Sequence, residues 1–134
     1  MNADFIDTNI LVYLFSVDEK EKRLQAEALV QREESLISTQ VLNEFVNVMF
    51  RKFSLSSSEI DHACRELELT FRVSVVTQKT IFNAIRLKGR YGFSYFDALM
   101  VSSALEEGCQ NLYTEDLQHG QVVEDNLTII NPFL

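Results

Sequence analysis

Four acids in this sequence stand where side chains can do chemistry. Asp7 closes the apolar run Phe5-Ile6 just before Ile10, Leu11, Leu14 and Phe15 take up helical spacing, and Asp116 follows the run Leu112-Tyr113. Both therefore fall at the carboxyl end of a predicted strand, the edge at which parallel sheets bind ligands. Asp97 shares a helix face with Met100, Val101 and Ala104, which turns a carboxylate toward the core. Glu44 borders the apolar stripe of Val41, Phe45 and Val48. Each has a plainer role open to it: Asp7 as a helix N-cap, Asp97 as partner of Ser94 in a capping box, Glu44 in an exposed pairing, Asp116 in a polar turn. Together they can converge on one point above a sheet. Convergent carboxylates repel, and an unpaired charge facing a core is costly. A hard divalent cation, Mg²⁺ or its substitute Mn²⁺, resolves both problems. The matching chemistry is phosphodiester hydrolysis, in which a metal acidifies and aligns a water and a carboxylate free of the metal accepts its proton.

Elements able to hold these acids follow from the pattern of the chain. Thr8 to Phe15 and Glu19 to Arg32 read as helices, the second with Leu24, Ala28 and Leu29 on its apolar side. Ser35-Leu36-Ile37-Ser38 reads as a strand, and Thr39 to about Lys52 as the helix that carries Glu44. Ser56, three residues before Glu59, offers a capping box for a helix to about Phe71. Val73 to Val76 form a short strand and Thr77 to Leu87 a helix, which Gly89 and Gly92 end; Ser94 opens the helix of Asp97, closed by Gly108. Asn111 to Tyr113 and Leu127 to Ile130 are the last strands, separated by a polar segment from Thr114 to Asn126. Such alternation predicts an α/β domain, three layers (α/β/α) around a short, mostly parallel sheet.

Composition sets the limits. The 134 residues, 46% hydrophobic with four glycines and one proline, fit a single domain over residues 1–134. Met1 to Asp7 show no basic leader, and no apolar window is long enough to cross a bilayer, so a cytosolic chain is expected. Cys64 and Cys109 lie far apart without metal-site spacing and read as incidental thiols. A net charge of −8 opposes nucleic-acid binding by bulk electrostatics. The basic groups Lys20/Lys22/Arg23, Arg51/Lys52 and Arg86/Lys88/Arg90 read first as solvated helix faces, with a local cationic rim as the other reading.

The blocks Phe5-Ile6-Asp7-Thr8-Asn9-Ile10-Leu11, Ser38-Thr39-Gln40-Val41-Leu42-Asn43-Glu44-Phe45, Ser94-Tyr95-Phe96-Asp97-Ala98-Leu99 and Tyr113-Thr114-Glu115-Asp116-Leu117 resemble, in order and spacing, the PIN-domain ribonucleases. The resemblance spans the chain and is nearest to the VapC-type toxins, down to the closing Asn131-Pro132-Phe133. It implies a metal-dependent endoribonuclease in which Asp7, Glu44, Asp97 and Asp116 bind Mg²⁺ or Mn²⁺ with Asn9 and Thr114 in support. It also implies a homodimer, an RNA substrate and a cognate VapB-type antitoxin, expected to lay an amphipathic segment over apolar surface near the first four helices and a basic residue against the acids. Asp4 departs from the family's apolar strand, and Glu115 competes with Asp116 for the metal-facing place.

Other function classes fit less well. A phosphoacceptor signalling domain needs a late lysine, and no Lys follows Lys88; a dehalogenase-type phosphatase wants an acid where Asn9 stands. The alternative that survives is a non-catalytic PIN domain binding RNA or a protein.

Overall fold

The computed structural model describes residues 3–31 and 34–134. The chain runs β1 (Asp4–Ile6), α1 (Thr8–Tyr13), α2 (Lys20–Val30), β2 (Ser35–Ser38), α3 (Thr39–Lys52), α4 (Ser57–Thr70), β3 (Arg72–Ser74), α5 (Gln78–Tyr91), α6 (Tyr95–Glu106), β4 (Asn111–Tyr113), β5 (Val122–Val123) and β6 (Leu127–Ile130). Six strands form one sheet in the order β3-β2-β1-β4-β6-β5, parallel throughout except for the β5–β6 pair. The strands are short apolar runs because a parallel sheet is covered on both faces: Phe5, Ile6, Leu36, Ile37, Leu112 and Ile129 are fully buried. Each such side chain contributes about 1.5–3 kcal/mol.

From β1 the chain steps outward through β2 to β3, then returns across the sheet to β4 on the other side of β1. Right-handed crossovers place the helices of the outward path on one face and those of the return on the other. The packing agrees, with α1 against α2 and α3, α3 against α4, and α5 against α6. The direction of winding reverses between β1 and β4, which opens a crevice at the carboxyl ends of these two neighbours.

Several local expectations are corrected. Gly89 lies within α5, and the helix ends at Gly92, whose φ of 78° is the left-handed cap that glycine adopts most easily. Helix α2 buries Ala26 and Leu29, while Leu24 and Ala28 face solvent. Strand β3 begins at Arg72 and ends at Ser74, set by its register on Leu36 to Ser38 rather than by the β-branched run beyond it. The polar segment after β4 contains β5, which turns back on β6 as a hairpin. Helix α6 buries Ala98 through Ala104 all round, so Asp97 sits at the start of a fully covered helix rather than on one side of an amphipathic one. Met1, Asn2 and Arg32 from the sequence readings lie outside the described residues. No helix among the described residues is long and apolar enough to cross a membrane.

Candidate active site

Register brings the first two site residues together. Ile6 pairs with Tyr113 across β1 and β4, and the Asp7 amide continues the ladder by donating to the Tyr113 carbonyl at 3.0 Å. Asp7 and Thr114, far apart in sequence, therefore emerge side by side at the strand ends. The Thr114 hydroxyl donates to Asp7 Oδ2 at 2.7 Å, and the Thr8 amide donates to Asp7 Oδ1 at 2.6 Å. Asp7 is the N-cap of α1 and also lines a cavity, so the cap does not exclude the other reading.

Asn9, in the first turn of α1, links the strand ends. Its Nδ2 reaches Asp7 Oδ2 at 3.2 Å, Asp116 Oδ2 at 3.0 Å and Thr114 Oγ1 at 3.4 Å. Thr114 Oγ1 also accepts from the Asp116 amide at 3.1 Å. Asn9 and Thr114 thereby fix the direction of both strand-end acids. Glu115 also borders the cavity, but its oxygens are engaged: Tyr13 donates to Oε1 at 2.6 Å, and Lys22 pairs with Oε2 at 3.2 Å. Lys22 in turn lies over the rings of Tyr13 and Phe133, 4.9 and 5.3 Å from their centroids. The closing Asn131-Pro132-Phe133 thus helps hold Glu115 and leaves Asp116 to Asn9. Asp4 takes no part, its carboxylate accepting from Asn111 at 3.0 Å near the opposite end of β1.

The helical acids complete the cleft. Ser38 caps α3 through the Val41 amide, and one turn further Glu44 accepts from the Thr8 hydroxyl at 3.3 Å. Thr8 was not singled out in the sequence, where nothing marks a hydroxyl that bridges α1 to α3. Ser94 caps α6 by accepting from the Asp97 amide at 3.3 Å, so Asp97 has its predicted capping partner and still lines the cleft. Asp7, Glu44, Asp97 and Asp116 all border a single cavity of about 340 Å³, with Val12, Val48 and Met100 as apolar wall. Arg51 and Lys52, at the end of α3, form a cationic rim to the same cavity.

The field inside is negative and uncompensated. Burial pushes Asp7 up to about 7 against the pull of its Thr114 and Thr8 hydrogen bonds, and Asp116 and Glu44 push the same way. Glu44 is raised by burial, with Asp97 and Asp116 adding to it. Asp97 is raised by burial and by Asp116, against the Ser94 hydroxyl. No basic side chain ion-pairs with any of the four among the described residues. Asn9 Oδ1 is buried at the same place without a hydrogen-bond partner.

Whether these residues suit a divalent cation can be judged from their chemistry. Among the described residues no three Asp, Glu, His or Cys side chains close into a metal cage. Mg²⁺ does not ask for one, since it keeps several waters and is commonly held by one or two carboxylates with substrate phosphates. Hard oxygen donors, mutual repulsion among the acids and an orphan amide oxygen fit such an ion and its waters. Cys109 is a buried thiol pushed up to about 12, chiefly by burial, and plays no part here.

Residues 5–124 match the PIN-domain family. Comparison with curated protein sequences finds no match. Among solved structures, a toxin–antitoxin complex from Klebsiella pneumoniae aligns with a TM-score of 0.74 at 20% identity, over 97% of this chain and 98% of that one. VapC20 of Mycobacterium tuberculosis, a toxin that cleaves the sarcin–ricin loop, aligns at 0.69 and 21% identity over 85% and 92% of the two chains. VapBC2 of Rickettsia felis, bound to a DNA fragment from its promoter, aligns at 0.68 and 20% over 95% and 96%.

Proposed function

Because this chain belongs to the PIN-domain family, we propose that it is a metal-dependent endoribonuclease and the toxin of a VapBC-type toxin–antitoxin pair, acting in the cytoplasm. The observation that carries this reading is the convergence of Asp7, Glu44, Asp97 and Asp116 on one cavity at the switch point of the sheet, with no basic side chain ion-paired to them among the described residues. The likeness to toxin chains of known structure supports the toxin role.

Asp7 and Asp116, fixed by Asn9 and Thr114, would hold a divalent ion together with Glu44 and Asp97. Bound there, Mg²⁺ or Mn²⁺ would supply positive charge for the phosphate oxygens and a more acidic water. Arg51 and Lys52 at the rim are placed to take the flanking phosphates of an RNA strand. Whichever carboxylate is free of the ion would accept the proton of the attacking water. Val12, Val48 and Met100 limit water on one side of the cleft.

The same reading includes two protein contacts. Exposed Phe15, Leu24 and Phe50, on or beside α1 to α3, supply apolar surface for an antitoxin segment, and Ile81, Phe82 and Ile85 on one side of α5 supply a face for a second copy. The test of the catalytic reading is incubation with total RNA in Mg²⁺ or Mn²⁺ and in EDTA, beside Asp97→Asn. Metal-dependent fragments that vanish in the variant support the ribonuclease; an Asp97→Asn variant that leaves both RNA cleavage and growth inhibition intact refutes the catalytic role given to these acids.

A further inference from the structure

Helix α3 carries a second feature next to the acids. Gln40, Asn43, Glu44 and Asn47 fall on one face by their spacing, opposite the buried Val41, Phe45 and Met49. With Phe96 they line a cleft of about 310 Å³ that shares Glu44 and Phe96 with the acidic cavity. None of the three carboxamides has a hydrogen-bond partner among the described residues. Phe96 is 56% exposed at the head of a helix otherwise buried from Ala98 to Ala104, tilted against Tyr95 with ring centroids 5.4 Å apart. Folding accounts for neither: the carboxamides stabilise no cap or turn, and the ring covers no core.

We infer that this cleft is a subsite for one unpaired RNA base next to the scissile phosphate, with Phe96 as the stacking plane and Gln40, Asn43 and Asn47 reading the base edge. The inference rests on the ribonuclease reading for its substrate. Unpaired bases in RNA are recognised by stacking on aromatic rings and by hydrogen bonds along their edges. A carboxamide sets a donor beside an acceptor, which matches the N6 and N7 positions of adenine. Charge favours this mode, because a chain at −8 cannot hold RNA by phosphate contacts alone, and neither stacking nor edge pairing requires a cation. Shared walls put the base within one nucleotide of the acids, so the subsite selects which phosphate reaches them.

Adenosine is the direct probe, since it carries a base and no phosphate to be repelled by the acids. Titrated in EDTA and followed by ¹H–¹⁵N NMR, it should shift the side-chain amide signals of Gln40, Asn43 and Asn47. Phe96→Ala and, separately, Asn47→Ala should weaken that binding about tenfold, both residues being exposed enough to change without unfolding the chain. Unmoved carboxamide signals, equal binding by both variants, or shifts produced by inorganic phosphate instead of adenosine would overturn the subsite. So would shifts of the same signals only on adding the protein encoded beside this one, which would make the face a protein contact. Because the titration needs no metal or cleavage, metal-dependent cleavage with unmoved signals sinks the subsite alone, while adenosine shifts without cleavage sink the ribonuclease reading alone.

Discussion

Two carboxylate sites at different places on this molecule are built in opposite ways. At the β5–β6 hairpin, Glu124 receives Arg86 at 2.8 Å, Arg90 at 3.1 Å and the Tyr91 hydroxyl at 2.6 Å, and these partners hold it below the usual glutamate range. At the switch point, Asp7 has only the neutral donors Thr8, Asn9 and Thr114, and burial lifts it to about 7. The chain has cations to spare near both. Arg51 and Lys52 border the acidic cavity yet form no ion pair with it among the described residues. Glu124 staples the end of α5 to a hairpin, whereas the four acids of the cavity have no ion-pair partner among the described residues. Under the proposed function, that difference separates a structural carboxylate from a functional one.

The largest effect should separate the sites by activity. Asp7→Asn should lower metal-dependent RNA cleavage by at least about a hundredfold in a gel assay, whereas Glu124→Gln should leave the rate as it is. Equal losses in the two variants would erase the distinction.

The pH dependence of stability should differ in sign. Asp7 titrates at 3.8 in an unfolded chain and at about 7 when folded, so the folded state binds its proton more tightly. Its contribution is fully present below about pH 4 and is lost as pH rises through about 7, a change on the order of 2–4 kcal/mol. Urea unfolding in EDTA at successive pH values, wild type against Asp7→Asn, isolates it as a falling difference. Glu124, held low, works the other way: its contribution is present above the usual glutamate value and fades as pH falls. A flat difference for Asp7 would mean that its burial is offset by partners that the geometry does not reveal.

Divalent ions should sharpen the contrast. Mg²⁺ at about a hundred times its dissociation constant should add about 2.7 kcal/mol to the wild type in urea unfolding and nothing comparable to Asp7→Asn. The smallest effect belongs to the staple, where Glu124→Gln should lower the thermal midpoint slightly and less at high salt, as expected of ion pairs whose arginines are exposed.

Much of the fold was legible because its strands are continuous apolar runs and its helices carry start signals, such as Ser56 and Ser94, each of which caps in the structure. What escaped was decided by tertiary partners. Gly89 costs about 1 kcal/mol inside an exposed helix, which the packing of α5 on α6 outweighs, and the stop falls at Gly92. Strand β5 exists only because β6 is beside it. At the site, all four acids were readable from strand ends, helix faces and motif order, and they do line one cavity. Motif order favours Asp116 over Glu115, and both border the cavity; what the sequence does not show is that Tyr13, Lys22 and Phe133 meet from distant parts of the chain to engage Glu115. The Thr8 bridge to Glu44 and the role of Arg51 and Lys52 as a rim also needed the packing of α1 on α3.

On the proposed function, the acidic cavity binds a divalent cation. Titration calorimetry with Mn²⁺ tests it most directly, at a pH above the value of about 7 that burial gives Asp7. Saturable binding in the wild type, weakened at least about tenfold in both Asp7→Asn and Asp97→Asn, is the predicted result. Mn²⁺ binding unchanged by either substitution, or none in the wild type, would contradict it.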